Sequence, residues 1–144
     1  MRYVPDDAQW SLIDDNERRS RSDVVELQLQ GGVANAGAVV RSGDHVVRPS
    51  NVHTRSIHRF LRHLSQAGFE GASQPVGVDS DGRERLQFIG GEVVMPPFAA
   101  WVQTDDALAS IARLMCRFHD AAKLFHPDPG DTWSAEMGDP AVGP

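Results

Sequence analysis

Cysteine is almost missing from this 144-residue chain. Cys116 stands alone, so no disulfide can close within one copy and no cysteine-based zinc site can form. Long apolar runs are missing as well. None approaches the ~20 residues needed to span a bilayer. The opening Met1-Arg2-Tyr3-Val4-Pro5-Asp6-Asp7 has no apolar stretch of the kind a secretory signal carries. These absences lead to the expectation of a cytoplasmic protein with no membrane partner. Basic charge is short: 14 Lys and Arg stand against 20 Asp and Glu, a formal net charge of −6. Nucleic-acid binding rests on cations that neutralise phosphates, so no nucleic-acid partner is expected. A nucleotide or a cationic molecule is not barred, because either responds to local charge. Asparagine does not occur after Asn51, and no Asp or Glu occurs from Val52 to Ala67.

What remains is the composition of an ordinary soluble domain, with 40% hydrophobic and 24% charged residues. The length suits one domain or one lobe of a larger fold. Residues 1–22 are polar and read as a flexible lead-in. Strand formers follow in Val24-Val25-Glu26-Leu27-Gln28-Leu29, and Gly31-Gly32 stops them. Residues 36–40 are small and apolar, Arg41-Ser42-Gly43-Asp44 offers a tight turn, and His45-Val46-Val47-Arg48 closes at Pro49. Residues 24–48 thus predict three antiparallel strands with a glycine loop in the first connection. Ile57, Phe60, Leu61, Leu64 and Ala67 then share one helical face, with Thr54 as N-cap and Gly68 just past the end. Two more strands are expected in 75–79 and 85–89, joined by Ser80-Asp81-Gly82-Arg83, with Val93-Val94-Met95 running on to Pro96-Pro97.

A long helix is expected from about Thr104 to Phe125, opened by Thr104, Asp105 and Asp106 and stopped by Pro127 and Pro129. Leu108, Ile111, Ala112, Met115, Phe118, Ala122 and Phe125 form its apolar stripe. Such a stripe needs a cover, which predicts self-association through the 104–125 helix if nothing else supplies one. Residues 127–144 show no period and read as an irregular tail. The predicted fold class is α+β: a five-stranded antiparallel sheet with one packed helix, followed by a long helix.

Two features suggest a site. Gly31-Gly32-Val33-Ala34-Asn35 is a loop of small residues whose backbone N–H groups can approach phosphate oxygens. It is neither a Gly-x-x-x-x-Gly-Lys-Ser/Thr loop nor a strict Gly-x-Gly-x-x-Gly, and by itself it also fits an ordinary hairpin loop. Arg48, on the third strand, can grip phosphate bidentately, and it also fits an edge-strand surface residue. The basic run Arg55, His58, Arg59, Arg62 and His63 reads as a solvated helix face, with assistance to phosphate by Arg55 as the other reading. His58 and His63 are poorly aligned for a metal, His119 and His126 have no carboxylate to complete a set, and Cys116 reads as a packing residue. No metal ligands are assigned.

The order of these parts resembles the aminoglycoside phosphotransferase and choline-kinase-like family, whose N-terminal lobe is built like that of protein kinases. The resemblance runs through Gly31-Gly32-Val33-Ala34-Asn35, Val46-Val47-Arg48-Pro49, Ile57-His58-Arg59-Phe60-Leu61 and Phe88-Ile89-Gly90-Gly91. It implies a nucleotide-binding lobe over 23–95, an interlobe link and first helix of the C-terminal lobe over 96–126, and the tail over 127–144. It further implies that Gly31, Gly32, Val33, Ala34 and Asn35 cover the phosphates of ATP. Arg48 would hold its α/β-phosphates, and the backbone at Val94 and Met95 would meet the adenine edge. Magnesium would accompany the nucleotide, and a small polar acceptor would need a C-terminal lobe. The family's His-x-Asp-x-x-x-x-Asn loop is not present: His126-Pro127-Asp128 is the only His-x-Asp, and no asparagine follows. No catalytic residue is therefore assigned. The resulting expectation is the nucleotide-binding part of a truncated ATP-dependent small-molecule phosphotransferase. The alternatives are a binding module for a nucleotide or a protein without catalysis, or an inactive remnant.

Overall fold

A computed structural model describes residues 25–29, 38–91, 93–94 and 96–134. Five strands and two helices are present: β1 (Glu26–Gln28), β2 (Val40–Ser42), β3 (His45–Pro49), α1 (Thr54–Gln66), β4 (Pro75–Val78), β5 (Arg83–Gln87) and α2 (Asp105–Ala122). The strands form one antiparallel sheet in the order β1-β2-β3-β5-β4. The chain is α+β with a five-stranded antiparallel sheet, as the hydrophobic periods predict. By its contacts it divides into two compact units. One holds all five strands, through Ser50 and over Pro75–Val93; the other holds both helices, over Asn51–Gln74 and from Val94 onward. Residues 51–74 thus group with a later segment, although they lie between β3 and β4 in the chain.

Turn chemistry fixes the sheet. Gly43 has φ 60° at the first position of the two-residue β2–β3 turn, a place that favours glycine. Ser42 consequently pairs with His45, and the ladder runs on to Val40 opposite Val47. β2 begins later than the expected 36–40, though Leu29 N–H still donates to the Val39 carbonyl at 3.0 Å. Gly82, with φ 82°, closes the β4–β5 connection, where Asp79 N–H donates to the Arg83 carbonyl at 2.7 Å. β5 is set two residues earlier than the expected 85–89. That shift places Glu84 and Arg85, both buried, inside the ladder.

In the helical unit, α1 opens at Thr54 rather than one residue later. The Thr54 hydroxyl accepts from the N–H of Asn51, not from a helical N–H, while Asn51 Oδ1 accepts from His53 N–H. The helix ends as expected at Gly68, whose φ is 79°. Phe69 N–H donates to the Leu64 carbonyl and Gly68 N–H to that of Ser65, each at 2.9 Å. This paired pattern is the Schellman ending. It turns Phe69 back onto Leu64, and both join Ala121 of α2 in a buried core with Phe60, Leu61, Ala72, Phe118 and Ala122 against it. Thr104 caps α2, accepting from Ala107 N–H at 3.2 Å, with Asp105 and Asp106 in the first turn.

Residues 126–134 have no regular structure but are held against α1. Arg59 pairs with Asp128 and Asp131 and donates to the His126 carbonyl at 2.9 Å. Thr132 N–H donates to Ser56 Oγ at 2.8 Å. Trp133 meets Phe60 and Phe125 edge to face, with ring centres 6.3 and 6.0 Å away. Among the described residues no helix is long and apolar enough to cross a membrane.

Leu64 is 1% exposed. Leu64→Ala is expected to cost about 2–5 kcal/mol in urea unfolding, the range for an aliphatic core residue cut to alanine. A Cβ at Gly71 would lie 2.6 Å from Phe69 Cζ and 3.0 Å from Leu114 Cδ1. Gly71→Ala is expected to lower stability by about 1–3 kcal/mol through overpacking. Wild-type stability in both variants would show that this core does not hold the helical unit.

Candidate functional site

Of the candidate residues, Arg48 and Val94 are among those described. Gly31, Gly32, Val33, Ala34, Asn35 and Met95 lie outside the described residues. Arg48 sits on β3 in the strand unit, and Val94, half-buried, falls in the helical unit.

Arg48 is engaged by a residue that the sequence did not single out. The β3–β5 register sets Arg48 directly opposite Glu84. Arg48 Nε donates to Glu84 Oε1 at 2.6 Å, with the Glu84 side chain 2% exposed and that of Arg48 32% exposed. A second buried pair lies nearby in sequence, Arg85 Nη2 to Asp79 Oδ2 at 2.9 Å. Arg83 spans the sheet edge, reaching Asp81 at 2.7 Å and Glu26 at 3.0 Å. Arg41 lies over the Phe88 ring, 4.0 Å from its centre. Such charge pairs fix register, because a buried carboxylate without a cation costs several kcal/mol. The signal for Glu84 was its placement in Arg83-Glu84-Arg85, readable only once the strand register is known.

The basic face of α1 is also engaged. Arg59 is bound by Asp128 and Asp131, and His58 is fully buried. The Nε2–H of His63 donates to the Ala121 carbonyl at 2.9 Å, while its ring meets Phe125. The reading of these residues as a solvated face is corrected. The acids that α1 lacks come from the loop after α2, about seventy positions away. Among the described residues no cluster of His, Cys, Asp and Glu could hold a metal.

Two open hollows lie beside the end of α1, of about 280 and about 320 Å³, and both are lined by Gly68, Phe69 and Arg117. Glu70 and Leu114 complete the first, Asp120 and Leu124 the second.

No family model matches the chain, and no solved structure matches it. A curated protein that does match is the trifolitoxin immunity protein of Rhizobium leguminosarum bv. trifolii. It is 34% identical over 115 residues, which cover 78% of this chain and 42% of the relative. The chain thus spans less than half the length of that protein. These findings correct the resemblance to aminoglycoside phosphotransferases and choline kinases: no model of that family matches, and the relative found is named for immunity. The reading as a truncated ATP-dependent phosphotransferase, a kinase-like ATP-binding transferase, falls with it. The physical reason lies in the motifs. Glycine-rich connections occur in loops of many functions, and Arg48 is accounted for by Glu84 within the sheet.

Arg48→Ala is expected to cost about 2–4 kcal/mol, because it strips a nearly buried carboxylate of its cation. Arg83→Ala, on an exposed pair, should cost under about 1 kcal/mol. Equal losses in the two variants would contradict this placement. The Arg83 guanidinium also holds the Asp81 carboxyl below the ordinary carboxylate value. A lowered folded value means that the pair stabilises above the unfolded pKa of about 3.9 and that this contribution disappears as acid is added. Asp81→Asn should therefore narrow the stability gap between about pH 5 and about pH 3 slightly, slightly because the carboxylate is exposed.

Proposed function

We propose that this chain is a binding module of a toxin-immunity protein. It acts by holding a protein or peptide rather than by transferring a phosphoryl group. The observation that carries the reading is the 34% identity over 115 residues to the trifolitoxin immunity protein. The hollows beside Phe69 and Arg117 supply a docking place. Phe69 gives an apolar floor, and Glu70, Arg117 and Asp120 give a polar rim of both signs. Apolar centres with polar rims are the usual anatomy of a protein-binding patch. Leu114 and Leu124, both exposed, extend that floor along α2.

Expression of the chain in trifolitoxin-sensitive rhizobia tests the proposal. The expected outcome is growth at a toxin concentration that arrests cells carrying an empty vector. Titration calorimetry of purified chain with trifolitoxin should give a micromolar complex, weakened roughly tenfold in Arg117→Glu. Soluble expression with neither protection nor binding would sink the proposal.

A further inference from the structure

Along α2 apolar residues recur in alternating steps of three and four: Leu108, Ile111, Met115, Phe118 and Ala122. That spacing is the seam of a coiled coil. The C-terminal half of the seam is covered, since Phe118 and Ala122 pack on the core that α1 and Phe69 complete. The N-terminal half is open: Leu108, Ile111 and Met115 are 66%, 55% and 46% exposed. Beside the seam, on the flank turned away from Ala121, Asp105, Ala112 and His119 recur every seven residues and are all exposed.

We propose that the open half of this seam is covered by α2 of a second copy, running antiparallel across a two-fold axis near Ile111 and Ala112. In that arrangement Leu108 of one copy meets Met115 of the other, and Ile111 meets its own counterpart. Asp105 of each copy falls opposite His119 of its mate. Ala112 crosses itself, where a small side chain lets the helices approach. The flank is therefore self-complementary, which a two-fold interface requires. A parallel pair would instead stack Asp105 on Asp105, so the charge pattern selects the antiparallel one. A peptide partner gains nothing from an acid and an imidazole set seven residues to either side of an alanine; a second copy uses both. Three apolar side chains per copy bury less than the roughly 800 Å² per partner of a standard interface, so the pair dissociates in the range of tens to hundreds of micromolar. The hollows at Arg117 and Leu124 open on the adjoining flank of α2.

Sedimentation equilibrium of the full chain from about 5 to about 500 µM reads the pair directly. The average mass is expected to climb from one chain toward two. Ile111 is exposed, so Ile111→Glu should leave the helical circular dichroism unchanged and keep the mass at one chain throughout. His119→Asp, which sets two carboxylates opposite each other, should raise the dissociation constant about tenfold. Adding Asp105→His to it exchanges the partners and should restore pairing. A single-chain mass at the highest concentration overturns the proposal, and so does pairing that Ile111→Glu leaves unaltered. Failure of the double exchange to rescue His119→Asp overturns the antiparallel arrangement.

Discussion

A carboxylate buried in the middle of a sheet must have a cation, and in the strand unit that requirement organises the rest. Glu84 is almost wholly shielded, and Arg48 reaches it from the neighbouring strand. The pair forms only if β3 and β5 run in the observed register, with Val47 opposite Arg85 and Val46 opposite Leu86. A slip by one residue would send every side chain to the other face and leave Glu84 without Arg48. Strands of three to five residues have few ladder hydrogen bonds with which to resist slipping, so charge pairing carries much of the specificity. Arg85 and Asp79 do the same between β5 and the connection that follows β4.

The helical unit is organised by a different constraint, the ending of α1. Gly68 adopts a left-handed backbone that lets Phe69 fold back over Leu64. Phe69 then meets Phe118 edge to face, with ring centres 5.6 Å apart, and Phe118 meets Phe60 at 6.1 Å. Phe125 and Trp133 continue the aromatic run. One turn thus determines which part of α2 is covered. The cover reaches the residues around Phe118 and Ala121 and stops before Met115, which leaves a helix with one half of its stripe packed and the other half open.

Much of this was legible in the chain, and the reasons are local. Helix periods, the Thr104 cap, Gly68 and the turns at Gly43 and Gly82 are written within a few residues of where they act. The five strands and their class follow from the same short-range pattern. The partners were not legible. Glu84 is 36 positions from Arg48 and Asp128 is 69 from Arg59. Nothing near either arginine announces the acid that binds it. A cation read without its partner looks open to a ligand or to solvent.

The correction of the functional reading follows from the same physics. A glycine loop, an arginine ahead of a proline, a helix and a hairpin are each common to many folds, whatever the chain does. Their sequence order limits the fold more than it limits the chemistry. Similarity over 115 residues to an immunity protein carries more weight, because it spans 78% of the chain rather than a few short motifs. In the proposed reading, binding uses what the helical unit offers: an aromatic floor at Phe69 and charges of both signs beside it. Arg48, Arg59, Arg83 and Arg85 are engaged by carboxylates within the chain, which commits those cations to stability. In the proposed reading, recognition rests on the apolar contact at Phe69 together with Arg117, which lines both hollows.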